Sequence, residues 1–195
     1  SISILKQMLN SDFLSKNKFT NKTALGMYVP NSYELYWNTS ATQFRDRMLK
    51  EYNRFWSEKR INSARNLKLT RTQVISLASI VQKETAKVSE RPIVAGLYLN
   101  RIKRRIPLQA DPTIIYALKE KNGQEFQVKR VLNRDLKIDS PYNTYTHRGI
   151  PPSLIAMPDI SSIDAVLFSS KHNYIYMCAN VDKPGYHAFA ANLRQ

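Results

Sequence analysis

Glu84 is the residue whose position fits its charge least well. It lies near the end of residues 70–86 (TRTQVISLASIVQKETA), a stretch that reads as one amphipathic helix. Thr70 and Gln73 have the S/T-x-x-E/Q spacing of a capping box, which satisfies free N–H groups at a helix start. Val74, Leu77, Ala78, Val81 and Thr85 recur at three- and four-residue steps and share one face, with Thr72, Ser76, Ser79 and Lys83 opposite. On this wheel Glu84 falls beside Leu77 and Ile80, at the border of the apolar stripe. A carboxylate there is either paired or carries a raised pKa. A glutamic acid that keeps its proton near neutral pH can protonate the oxygen of a glycosidic bond as it breaks. The competing reading is a half-exposed carboxylate or the partner of a nearby arginine, and this helix alone leaves both open.

The other elements must place partners around that group. Residues 2–17 read as a short helix. Ser40 and Gln43 repeat the capping-box spacing and open a helix to about residue 60, with Phe44, Met48, Tyr52 and Phe55 on one face, followed by a connection over 61–69. Between them, Tyr28, Tyr33, Tyr36 and Trp37 could line a groove, but packing is the favoured reading. Ser89 is placed to cap the helix that follows Glu84. Pro92 lies in its first turn, Ile93, Val94, Leu97 and Tyr98 form its buried side, and a cationic RIKRR end closes it. Asp111 before Pro112 signals the start of a third helix. Residues 140–158 (SPYNTYTHRGIPPSLIAMP) form a long loop whose rings, amides and hydroxyls suit a shaped ligand-facing wall. A short helix over 161–170 and two strands over 173–180 and 186–190, turning at Pro184-Gly185, complete the chain. The expected class is α+β, mainly helical with a small β-hairpin.

Composition narrows the chemistry. The 195 residues carry 30 Lys+Arg against 15 Asp+Glu, a net charge of +15, which attracts polyanions such as nucleic acid, anionic lipid or an acidic wall polymer. The single cysteine, Cys178, permits no internal disulfide and, lying in an apolar run, is expected to be buried. His147, His172 and His187 are scattered and form no metal-ligand spacing. No Gly-rich phosphate loop, no G-x-S-x-G elbow and no recognisable nucleic-acid module is present. No apolar run approaches the ~20 residues of a membrane span.

Four blocks, in order and at their distances, carry a resemblance: LASIVQKET (77–85), SERPIVAGLYLNR (89–101), LQADPTIIYAL (108–118) and YNTYTHRGIPP (142–152), with Gly185, His187 and Phe189 near the end. Together they closely resemble the endolytic murein transglycosylases, the MltG/YceG-like family, over roughly residues 20–195. The resemblance implies a lysozyme-like active-site helix and a catalytic domain over 1–195. It implies a bacterial enzyme at the outer (periplasmic) face of the cytoplasmic membrane that cuts peptidoglycan strands between N-acetylmuramic acid and N-acetylglucosamine, leaving a 1,6-anhydro-muramyl end. It implies a membrane anchor and a LysM-like lobe not contained in this chain. The implied partners are glycan strands and the cell-wall synthesis machinery, with no nucleic acid, no metal and no cofactor.

The family's catalytic glutamate falls on Glu84, in the K-E-T triplet. The expected sugar-binding residues are Gln109, Asp111, Tyr142, Asn143, Thr144 and Tyr145, with helix capping by Asp111 and packing by Tyr142 as structural alternatives. The sequence departs from the family pattern in having Gln82 where a glutamate is common and Ser153 where glycine often follows the proline pair. Its divergent final block leaves His187 without an assigned role. Three other functions stand beside this one: a non-catalytic peptidoglycan-binding module, a basic nucleic-acid-binding domain, and a pyridoxal-phosphate carbon–oxygen lyase, for which no lysine has a recognisable cofactor context.

Overall fold

In the computed structural model, which describes residues 2–193, the chain is built around one helix that is enclosed rather than amphipathic. This is α5 (Arg71–Glu84). Its capping box forms as the spacing predicts: Thr70 Oγ1 accepts from Gln73 N–H and Gln73 Oε1 accepts from Thr70 N–H. Every residue from Val74 to Val81 is buried, including Ser76 and Ser79, which the sequence reading placed on the face opposite the apolar stripe. The correction has a physical cause. Buried hydroxyls are tolerated when they are hydrogen-bonded, and these hold the long loop against the helix. Ser76 Oγ donates to Ser153 O at 2.8 Å, while Ser79 Oγ accepts from Ile155 N–H at 3.0 Å and donates back to Ser76 O. One turn on, Gln82 donates to Met157 O and accepts from Asp159 N–H at 2.6 Å.

Around α5 lie α6 (Arg91–Lys103), α7 (Asp111–Asn122), α8 (Ile160–Leu167) and α4 (Glu58–Asn66), all in contact with it. A second group packs at one end: α1 (Ile2–Met8), α2 (Ser11–Lys16) and α3 (Ala41–Phe55). β1 (Tyr176–Ala179) and β2 (His187–Ala190) pair antiparallel, with Tyr176 opposite Ala190 and Ala179 opposite His187. The class is therefore mainly helical α+β with a small hairpin. The ends of the expected 1–195 domain, residues 1, 194 and 195, lie outside the described residues.

Several boundaries differ from expectation. The helix over 2–17 breaks because the Asn10 side chain accepts from Phe13 N–H and caps a new helix. The helix from residue 41 stops at Phe55, and most of the expected connection is α4, which starts after Ser57. Ser89 does not cap α6; it lies in a 3₁₀ turn, Val88–Glu90, and the cap position falls to Glu90. Asp111 is the first residue of α7 and not its cap, which is Ala110. Tyr28 is buried and Tyr33 half-buried, but Tyr36 and Trp37 are 85% and 97% exposed, so packing does not account for them. Cys178 is exposed on β1.

The approach to the hairpin depends on close contact with α6. Asn100 donates to His172 O and Tyr174 O, and Arg101 Nε donates to Ile175 O at 2.7 Å. At Gly96 a Cβ would lie 2.5 Å from Ser170 O and 2.6 Å from His172 Nε2, so only glycine allows the incoming strand so near. Gly96→Ala is expected to lower stability by about 1–3 kcal/mol, read as a fall in thermal midpoint.

Candidate active site

Glu84 is the last residue of α5, and its carboxyl forms part of a cleft of about 260 Å³. The cleft walls come from four directions: Leu97, Tyr98 and Arg101 of α6; Leu108, Gln109 and Asp111 before and at the start of α7; Tyr145 of the long loop; and Met177–Ala179 with His187 of the hairpin. Tyr98 is buried and its hydroxyl donates to Glu84 Oε1 at 2.8 Å. Burial pushes the Glu84 carboxyl up to about 7, and the Asp111 carboxylate acts in the same direction, against the Tyr98 hydrogen bond and the neighbouring His187 and Arg101 side chains. A helix C-terminus is the end at which an anion is least favoured, which adds to the burial effect.

Arg101 is 8% exposed and tethers the cleft walls. It donates to Ile175 O on the hairpin side and to Leu108 O on the other. Its Nη1 also reaches Gln109 Oε1 at 3.3 Å. Gln109 is held in the left-handed region at φ 53°, its N–H donating to Thr144 O. A side chain other than glycine in that conformation stores ~1–2 kcal/mol of strain. Asp111 accepts from the Tyr145 hydroxyl at 2.5 Å, so the carboxylate is fixed at the cleft edge. Burial and Asp111 together push the Tyr145 hydroxyl well above its ordinary value, which keeps it a donor.

Of the residues expected to touch sugar, Gln109, Asp111 and Tyr145 line the cleft with Glu84. Tyr142, Asn143 and Thr144 do not line it; each is buried and engaged in contacts within the protein. Tyr142 is 1% exposed, packs against Tyr116, and shares a 2.6 Å hydrogen bond with Ser153 Oγ. Asn143 donates to Leu136 O and Ile138 O and accepts from Tyr145 N–H, which shapes the loop. Thr144 Oγ1 accepts from Ala110 N–H and pairs with Thr113 Oγ1. These three place Tyr145 and Gln109. Among the described residues no group of three or more His, Cys, Asp or Glu side chains is arranged to hold a metal ion.

The YceG-like family model matches residues 2–195. The chain belongs to the YceG-like family. It is similar to proteins named endolytic murein transglycosylase: one from Bacillus subtilis (strain 168), 35% identical over 73% of this chain and 38% of the relative, and one from Streptococcus pneumoniae serotype 2, 31% identical over 80% of this chain and 28% of the relative. The chain thus spans about a third of the length of the curated relatives it matches. A crystal structure of a YceG-like protein from Listeria monocytogenes superposes with a TM-score of 0.78 at 29% identity, covering 99% of this chain and 65% of that one.

Sequence reasoning missed Arg101 and His187 of this YceG-like chain as lining the cleft, and took Tyr98 only as packing. The signal for Tyr98 was its hydroxyl, since a buried tyrosine needs a partner for that group. For Arg101 the signal was a cation late in a helix with a buried face, read instead as an ordinary C-terminal charge.

The raised Glu84 pKa has a consequence for stability. Its folded value lies above the unfolded one, so the fold disfavours the charged form. That penalty is absent below the unfolded pKa of ~4.3 and complete above the folded value of about 7. Glu84→Gln is therefore expected to gain roughly 1–3 kcal/mol in denaturant unfolding at about pH 8.5 and nothing at about pH 4.

Proposed function

We propose that this domain is an endolytic lytic transglycosylase that cuts the β-1,4 bond between N-acetylmuramic acid and N-acetylglucosamine within peptidoglycan strands and leaves a 1,6-anhydro-muramyl end. The observation that carries the reading is Glu84: a carboxyl pushed up to about 7, facing a cleft and oriented by Tyr98. The names of the relatives support the same class.

Glu84 begins protonated. It gives its proton to the glycosidic oxygen as the bond to C1 breaks, leaving a free hydroxyl on the departing strand. The resulting carboxylate takes the proton of the muramyl C6 hydroxyl, whose oxygen forms the new bond to C1. The acid is regenerated and no water is consumed. Positive charge develops at C1 in the transition state, and the Asp111 carboxylate, held by Tyr145, is the fixed anion of the cleft suited to stabilise it. Tyr98 keeps the Glu84 oxygen in place through both halves. The domain's net charge of +15 suits a substrate whose stems and attached polymers are anionic. On this reading the domain works in the bacterial envelope, at the outer face of the cytoplasmic membrane, beside the cell-wall synthesis machinery. Among the described residues no helix is long and apolar enough to cross a membrane.

The test is mass spectrometry of products from defined glycan strands. The wild-type chain is expected to release anhydro-muramyl ends from within strands, and Glu84→Gln to release none. Reducing ends would indicate hydrolysis, and an undiminished Glu84→Gln would remove Glu84 from the mechanism. Because the first step needs the acid form, kcat/KM is expected to fall as pH rises through about 7.

A further inference from the structure

Glu90 and His187 form a second arrangement at the cleft that the mechanism above does not use. Glu90 ends the short turn between α5 and α6 and is 4% exposed. Both of its oxygens meet His187. Oε1 accepts the His187 backbone N–H at 2.7 Å and Oε2 lies 2.8 Å from His187 Nδ1. Burial pushes this carboxyl up, but hydrogen bonds from the His187 side chain and backbone and from Thr85 outweigh it, so Glu90 stays an anion. An anionic oxygen at that distance requires a proton on Nδ1. In the neutral ring Nε2 is then bare, an acceptor. No hydrogen bond to Nε2 occurs among the described residues, and the ring lines the same cleft as Glu84.

The contrast within the chain is informative. His172 has both ring nitrogens engaged: Nε2 faces Ile93 O at 2.9 Å and Nδ1 faces Tyr174 N–H at 3.1 Å. A histidine that only ties backbone together looks like that one. His187 is tied at Nδ1 and lines the cleft.

We infer that Glu90 fixes His187 as a hydrogen-bond acceptor for the sugar, so that bare Nε2 receives a hydroxyl or acetamido N–H of the aminosugar bound over Glu84. The inference rests on the glycan-cleaving reading above. Glu90 is a positioning residue, acting through the imidazole. His187 touches substrate.

Glu90→Gln separates this role from a merely structural one. The amide keeps both contacts, its oxygen accepting from the backbone N–H and its nitrogen donating to Nδ1. The ring must then carry its proton on Nε2, which turns the acceptor facing the sugar into a donor. ¹⁵N spectra of the histidines read the tautomer directly. The wild-type chain is expected to show His187 protonated at Nδ1 and His172 at Nε2. In Glu84→Gln, which holds substrate without turnover, a glycan oligomer of defined length is expected to shift the His187 Nε2 signal and leave His172 unmoved. Glu90→Gln is expected to reverse the His187 tautomer and keep the wild-type thermal midpoint within a few degrees. Its kcat/KM should fall about ten- to a hundredfold, since a site built to pair a substrate donor now opposes it.

Failure of Nε2 to respond at saturating oligomer overturns the inference whether or not the chain cleaves glycan. So does a tautomer-reversed Glu90→Gln with wild-type kcat/KM, or a neutral His187 ring in the unliganded wild-type chain that carries its proton on Nε2. A wild-type chain that cleaves nothing but shows the Nε2 response would sink the enzymatic reading and leave this one standing.

Discussion

A carboxyl group at the end of a helix, largely withdrawn from water, is the constraint that the architecture serves. Isolating Glu84 requires that α5 be enclosed on its other sides, and eight consecutive residues, Val74–Val81, are buried to do it. The enclosure could not be wholly apolar, because the loop over 151–159 brings its own backbone donors and acceptors against the helix. Ser76, Ser79 and Gln82 satisfy them. The Tyr98 hydroxyl then sets the orientation of the acid without providing a charge that would neutralise it.

The rest of the cleft is assembled from segments far apart in sequence, and two buried polar side chains hold the assembly. Arg101 links α6 to the hairpin strand and to the turn before α7. Glu90 holds the start of β2 through the backbone and ring of His187. Both are charged groups within the protein that are held by several hydrogen bonds, the condition under which burying them is tolerated. The strained φ of Gln109 falls where these pieces meet, between the Thr144 carbonyl and the Arg101 guanidinium. Strain of this kind persists where the surroundings over-determine the backbone.

Local signals in the sequence carried much of this. Both capping boxes, at Ser40 and Thr70, form as their spacing predicts, and the hairpin forms around the Pro184-Gly185 turn. Glu84, Gln109, Asp111 and Tyr145 meet in one cleft. The failures share a cause. Ser76 and Ser79 fell on the face opposite the apolar stripe because periodicity counts them as polar and cannot see that a loop seventy-odd residues later needs their hydroxyls. Tyr142, Asn143 and Thr144 take hydrogen bonds within the protein that composition could not foretell, since it does not say which partners a hydroxyl or amide will find. The Glu90–His187 pair spans ninety-seven positions, and no local pattern joins them.

The central claim is the protonation state of Glu84, and a titration of its side-chain carboxyl by ¹³C NMR, assigned with Glu84→Gln, addresses it most directly. The account predicts a midpoint near 7, so that the acid form is well populated at neutral pH. A midpoint near the ordinary value of 4.5 would contradict it, because the group would then be an anion where the chemistry needs an acid.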